Sequence, residues 1–366
     1  LLILGIYPSI YNNVMTITPV RIAVAGAGLI GREHLRVISD NTACQLTAIV
    51  DPSAAAAKLA NHYHIPHYLD LDRLFSRHTV DAVVLATPNA LHHAHALQCI
   101  HAGVPILLEK PIAATVAEAQ AIVQAAEKTG VKVLIGHHRA HSPIMALAKQ
   151  VITQGKLGDL VAVQGSALFF KPDDYFVAGP WRSQPGGGPI ALNLIHEIHN
   201  LRMLCGEIMA VQAMTSHVRR NFVVEDTAVI NLRFANGTLG SFVLSDTAAS
   251  ARSWEQTAQE NPAYASYEDE NCYHIAGTLG SLSVPSMRLK KWNKVEERSW
   301  YNPFEYKQLH LERQDPLQLQ MQHFVQVVRG EAQPLVSARD GLQNLRVTEA
   351  VVQAAVIGST VAVSQA

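Results

Sequence analysis

Gly26, Gly28 and Gly31 stand at G-x-G-x-x-G spacing between a short β-branched run, 21–25, and a helical segment; a second apolar run, LTAIV, ends twenty residues after Gly31 in Asp51. Residues of these types at this spacing can hold a dinucleotide. The glycines permit a tight turn and close backbone approach to a pyrophosphate. The helix that follows offers free N–H groups and its positive dipole end to that anion. Leu29 and Ile30, inside the turn, belong to the same cradle. Asp51 accepts hydrogen bonds from ribose hydroxyls and repels a 2′-phosphate, which favours NAD over NADP. A glycine-rich turn alone explains the glycines but not Asp51.

Reactive groups should sit beyond the carboxyl ends of the strands of such a sheet. The third apolar run leads into Thr87-Pro88-Asn89-Ala90-Leu91-His92, and the fourth into Glu109-Lys110-Pro111. A lysine there can exchange a hydroxyl proton as hydride passes between a carbinol carbon and nicotinamide. That requires burial and neighbouring charge to lower its pKa from about 10.4 to roughly 7–8. A Lys110–Glu109 pair, or a lysine at the solvent edge, explains the position equally well. Farther on, Gly186-Gly187-Gly188-Pro189 precedes IALNLIHEIHNLRMLCG, whose Leu192, Ile195, Ile198, Leu201 and Leu204 recur at helical spacing. Asn193, His196, Glu197 and Asn200 fall within one or two turns. His196 is then a proton shuttle or substrate donor, or else a satisfied interior histidine. His138 and Arg139 follow the fifth run and can reach the same cleft, although a salt bridge at a domain junction also accounts for Arg139. The clusters His62, His64, His67 and His92, His93, His95 lack tetrahedral geometry with a carboxylate or cysteine, so no metal site is expected.

The elements that must position these groups follow from the apolar pattern. Runs at 21–25, 46–50, 81–86, 104–108 and 131–135 alternate with helix-like stretches at 52–62, 89–102 and 115–129. This predicts a doubly wound parallel sheet covered on both faces, a Rossmann α/β domain. From about residue 158 the text becomes that of an α+β unit with a large, open, mainly antiparallel sheet. Ala228, Ile230, Leu232 and Phe234 alternate against polar neighbours, and Asn236-Gly237 supplies a hairpin turn. Residues 273–284 are strand-like, 251–271 form a polar and aromatic excursion, and 316–329 and 338–357 read as closing helices.

The chain has 366 residues, enough for two cores, with 48% hydrophobic and 16% charged residues and a formal net charge of −1. That balance gives no electrostatic case for nucleic acid or an anionic membrane. Cys44, Cys99, Cys205 and Cys272 are scattered, as in a reducing cytoplasm. The opening LLILGIYPSIYNNV is neither a signal peptide nor a membrane span. Met15 is the expected natural start. Residues 1–18 are read as a leader or appended segment, 19–137 as the NAD-binding domain, and 138–366 as the substrate-binding and oligomerisation domain.

GAGLIG with Asp51, TPNALH at 87–92, EKPIA at 109–113 and the GGG…H helix resemble the Gfo/Idh/MocA oxidoreductases, from about residue 20 to the C-terminus. The resemblance implies that Lys110 contacts substrate and nicotinamide ribose, that His196 acts in or assists acid–base exchange, and that Thr87, Pro88, Asn89 and His92 of one loop, with Glu109 of the other, lie beside the cofactor. It also implies that Trp181-Arg182 touches substrate. Many members carry an aspartate four residues before the histidine, where this chain has Leu192, followed by Asn193. An aspartate-assisted relay is therefore not carried over. The expected function is NAD-dependent oxidation of a secondary hydroxyl on a sugar, polyol or hydroxylated ring, in a homodimer or homotetramer built through the second sheet. The alternatives are an NAD-dependent glycosidase, a dihydrodiol or dihydroxy-acid dehydrogenase, and a redox-silent NAD-binding module. Arg139, Arg182 and Lys171 leave room for a carboxylate on the substrate.

Overall fold

The structure, a computed structural model, describes residues 18–365. Residues 1–17, which include all but the last residue of the expected leader and the start expected at Met15, lie outside the described residues. Strands β1 (Val20–Ala25), β2 (Cys44–Val50), β3 (His67–Tyr68), β4 (Ala82–Leu85), β5 (Ile106–Leu108) and β6 (Val133–Ile135) form one sheet in the order β3-β2-β1-β4-β5-β6. All its pairings are parallel. The strands are nearly all apolar because helices cover both faces: Ile22, Ala23, Val24, Val83, Val84 and Leu107 have no accessible surface. The strand order reverses between β1 and β4, and this opens the crevice in which such sheets bind ligands. The helices carry the local signals that fix their ends. Thr115 and Glu118 form a reciprocal capping box on helix Val116–Thr129, which stops at Gly130 with φ +76°.

The second sheet is formed by β7 (Leu160–Leu168), β8 (Ile208–Ser216), β9 (Thr227–Phe234), β10 (Leu239–Ser245), β11 (Tyr273–Gly277), β12 (Gly280–Val284), β13 (Arg288–Lys291), β14 (Glu305–Gln308) and β15 (Val361–Ala362). The order is β14-β13-β12-β11-β7-β10-β9-β8-β15, antiparallel except for the β7–β10 pair. Asn236-Gly237 makes the β9–β10 turn with Gly237 at φ +87°. Ala228, Ile230, Leu232 and Phe234 face the core, whereas Val229, Asn231 and Arg233 are exposed. Helices Pro143–Thr153, Ile195–Cys205 and Ala338–Ile357 cover the buried face.

The strand-like run 273–284 is a hairpin of two strands, β11 and β12. Two elements differ from the sequence reading. The excursion 251–271 contains a short helix, Trp254–Thr257. The helix after the triple glycine opens with a π-helical turn, Ile190–Leu194, before regular α-helix begins at Ile195. The C-terminal helices join both units: Met321, Phe324, Leu342 and Leu345 belong to the first core, and Val347, Val351 and Ala354 to the second. Among the described residues, no helix is long and apolar enough to cross a membrane.

Candidate active site

The glycine turn connects β1 to helix Leu29–Ser39. Gly26 has φ +95°, and a Cβ on it would lie 2.4 Å from the Ala86 carbonyl oxygen, while a Cβ on Gly31 would lie 2.0 Å from the Gly26 oxygen. Those two glycines let the turn, the helix and the end of β4 pack together. Gly28 is different: a Cβ there meets nothing within 4 Å. It caps the helix without a side-chain bond, and Leu29 beside it is 81% exposed, so the first helical turn is open to a ligand. At the end of β2, Asp51 accepts from the Ala27 amide at 2.9 Å and the Ser53 amide at 2.8 Å. Burial alone would push its carboxyl up, but the bonds from Ser53 and Ala27 hold it below the usual range, ionised at neutral pH. Each carboxylate oxygen retains a lone pair for a ribose hydroxyl. Open space at Gly28, free helix-start amides and an ionised Asp51 together fit a dinucleotide.

Around the tips of β4 and β5 the expected residues divide. Thr87, Pro88 and Asn89 line the open tip of β4. His92 is fully buried, its Nδ1 2.7 Å from the Pro111 oxygen and its Nε2 2.9 Å from the Thr87 oxygen. It ties the two strand-end loops together. Glu109, expected beside the cofactor, instead turns inward and is buried 2.8 Å from His34 Nε2, a partner that no local signal announced. Burial opposes its ionisation, but the His34 bond together with the charges of His34, Lys110 and His138 holds its pKa below the usual value. Lys110 turns the other way, and its Nζ donates to the Leu192 carbonyl at 3.1 Å. That contact bridges the first sheet and the π-helical turn. Neither simple alternative, a Glu109 ion pair or a solvent-edge lysine, describes its setting. Burial lowers the Lys110 pKa, Glu109 and Glu255 draw it back up, and Arg139 lowers it further.

His196 lies one turn beyond Leu192 and is 7% exposed, with no protein partner for Nδ1. Its ring centroid is 5.7 Å from that of His137 and 5.4 Å from that of His138. Burial, followed by the Lys110 and Arg139 cations, holds its pKa well below 6.5, so it is a neutral imidazole. His138 is pushed down to about 4 by burial and by Arg139. Behind them Asn344 Nδ2 approaches His137 Nε2 and His199 Nδ1, each at 3.1 Å, and fixes both rings. Sequence patterning had no means of connecting Asn344 to these histidines, 145 or more positions away.

Arg139 is 3% exposed and lies between two carboxylates, Glu197 at 2.5 Å and Glu255, while the Tyr273 hydroxyl holds the other Glu197 oxygen. These contacts are those expected of Arg139 as an ion-pair residue, and its charge also reaches Lys110, His138 and His196. Trp181 is exposed, and Arg182 stacks on Tyr175 with its guanidinium carbon 3.9 Å from the ring centroid. The Asn193 side chain accepts from Lys171 Nζ at 2.7 Å. Burial, countered by Asp246 and reinforced by Lys110, Arg220 and Arg182, brings the Lys171 pKa down to about 8. A separate cleft of about 980 Å³, lined by Phe170, Phe176, Arg220 and Phe222, includes neither Lys110 nor His196.

The fold and the site define an oxidoreductase that uses a nicotinamide dinucleotide. Residues 20–137 match the model of the oxidoreductase family's NAD-binding Rossmann fold, and residues 149–363 that of its C-terminal alpha/beta domain. The chain belongs to the Gfo/Idh/MocA oxidoreductases, and its dinucleotide is NAD. It is 25% identical to 1,5-anhydro-D-fructose reductase of Ensifer adhaerens, over 92% of this chain and 97% of that one. It is 23% identical to inositol 2-dehydrogenase of Rhizobium meliloti, over 91% and 96%. The fold superposes with a TM-score of 0.78 on an Agrobacterium radiobacter oxidoreductase solved with NAD+, L-tartaric acid and magnesium, at 21% identity, covering 94% of this chain and 98% of that one.

Proposed function

We propose that the protein oxidises, reversibly, a secondary hydroxyl of a sugar, polyol or related hydroxylated ring. The reading is carried by one observation: Lys110 at the β5 tip is fixed on the Leu192 carbonyl, one turn from the neutral His196. NAD, when bound, supplies the hydride acceptor. Asp51 and the amides after Gly28 would hold it, and Thr87, Pro88 and Asn89 would border it. Lys110 orients the substrate hydroxyl with an N–H that the Leu192 carbonyl leaves free. Its lowered pKa raises the fraction of neutral amine able to take the hydroxyl proton. His196 borders the same space, and its unpartnered Nδ1 suits it to bond the substrate or to receive that proton. No carboxylate is needed at position 192, because a backbone oxygen positions the lysine. The activities named for the relatives, reduction of an anhydro-ketose and oxidation of inositol, are both carbinol–carbonyl chemistry and support this class.

The decisive test is Lys110→Met. Turnover should fall at least about 100-fold, as expected for loss of an acid–base group, while calorimetric NAD affinity stays within about twofold, because the dinucleotide cradle lies elsewhere. Unchanged turnover refutes the role of Lys110. We propose further that copies pair through the outer face of the second sheet, where Met214, Val229 and Leu239 are exposed, which sedimentation would check. The domain division at 137/138 and a cytoplasmic location complete the proposal. Free Cys44, Cys99, Cys205 and Cys272 support that location.

A further inference from the structure

Lys110 and Lys171 come from different parts of the chain, yet both end on adjacent residues of one π-helical turn. Lys110 Nζ donates to the Leu192 carbonyl at 3.1 Å, and Lys171 Nζ to the Asn193 side-chain oxygen at 2.7 Å. Arg182 joins them through Tyr175: its guanidinium carbon is 3.9 Å from that ring centroid, and Lys171 Nζ is 5.0 Å from it. Arg182 also donates to the Tyr175 carbonyl, and its Nε is buried without a partner. In direct contact these three side chains meet only neutral oxygens and aromatic faces; Glu109 and Glu255 act on Lys110, and Asp246 on Lys171, through space without an ion pair.

The nearby acids are committed elsewhere. Asp246 Oδ1 accepts from Arg220 Nε at 2.7 Å, and Asp226 Oδ2 from the Arg219 and Arg220 amides at 2.8 and 3.0 Å. Glu225 accepts from the Ile190 amide at 2.8 Å, and Glu255 pairs with Arg139. Among the described residues, no carboxylate ion-pairs with Lys110, Lys171 or Arg182. Lysine ammoniums carry three N–H donors and arginine five, so all three retain donors beyond the bonds they make.

We infer that the substrate carries an oxyanion, a carboxylate or a phosphate, which Lys171 and Arg182 hold beside the hydroxyl presented to Lys110. The inference rests on the oxidoreductase reading above and narrows its substrate from neutral sugars to acidic ones. A carboxylate or phosphate supplies the counter-charge that the protein withholds, and its oxygens match the planar donor fork of arginine. A neutral polyol would leave like charges facing one another in a half-buried cleft.

The experiment is an NAD-coupled absorbance screen of the full chain against matched sets: aldonic and uronic acids, sugar 6-phosphates, and the corresponding neutral aldoses, alditols and methyl glycosides. Activity should concentrate in one anionic set, with kcat/KM at least about 100-fold above the neutral partner, and the set that responds separates carboxylate from phosphate. Lys171→Met should lower kcat/KM for the anionic substrate at least about tenfold and leave its neutral partner within about twofold. Lys171→Arg should retain the preference. Unchanged NAD affinity of both variants shows that they are folded. Neutral members turned over as well as the acids, a panel with no anionic substrate, or equal losses for both members in Lys171→Met would each overturn the inference. Failure of NAD to bind the wild-type chain would instead overturn the reading beneath it.

Discussion

Replacing Arg139 with methionine removes the cation that Glu197 and Glu255 share while keeping most of the side-chain volume. Glu197 is 1% exposed, so its carboxylate would be left in the interior with only the Tyr273 hydroxyl. It can escape by taking a proton, and the work of protonation therefore caps the penalty. That work is about 1.4 kcal/mol for each pH unit above the ordinary carboxyl value. From that value near 4.5, the cap is about 3.4 kcal/mol at pH 7 and about 0.7 kcal/mol at pH 5. Glu255, with a side chain 27% exposed, is partly rehydrated and adds less. Burial already holds the Glu197 pKa above 4.5 with Arg139 in place, so the penalty from Glu197 stays under that cap, and the expected destabilisation is about 2–4 kcal/mol at pH 7, shrinking to about 1 kcal/mol or less at pH 5. Urea titrations followed by tryptophan fluorescence would measure it, since Arg139 lies 5.8 Å from the Trp254 ring centroid. The double variant R139M/E197Q should recover most of the loss at pH 7. A penalty below about 1 kcal/mol at pH 7, or one independent of pH, would refute the picture of a sealed ion pair. A raised KM with unchanged stability would return Arg139 to the substrate site.

The remaining expectations concern the cradle and its charges. Gly28→Ala should fold normally and weaken NAD binding measured by calorimetry, because the new methyl meets only ligand space. Gly31→Ala should lose about 1–3 kcal/mol of stability even without NAD, since its methyl collides with the Gly26 oxygen. Asp51→Asn should reduce the NAD-over-NADP ratio of kcat/KM by about tenfold or more, one carboxylate–hydroxyl contact being worth about 1.4 kcal/mol. In the oxidative direction kcat should fall as pH drops through the lowered Lys110 pKa, because the ammonium cannot accept the proton; the reductive direction should show the opposite limb. Stability should respond to acid through Glu255, whose pKa is lowered by the Arg139 partner despite burial. Its contribution is present above its unfolded pKa and lost as pH falls through the folded value, so urea midpoints of Glu255→Gln should show a shallower acid limb.

Much of the fold could be read in the chain because its signals are local. All-apolar strands, the glycine turn, Asp51 and Asn236-Gly237 each state their own structure within a few residues, since backbone sterics and alternating burial act over that range. The same locality explains the recognition of Lys110 and His196 as candidates, and the alternation from Ala228 to Phe234. Tertiary packing alone decided which way each reactive side chain turns. Glu109 and Lys110 are neighbours in sequence, yet one faces His34 inside and the other reaches Leu192 across the cleft. Arg139 was balanced between substrate and junction until Glu197 and Glu255 met it from distant segments. Lys171 carried no motif of its own, and only the packed fold brings it and Lys110 to adjacent residues of the π-helical turn, Asn193 and Leu192. Charges act through space over several ångströms, so their partners are set by the packed fold and not by their order along the chain.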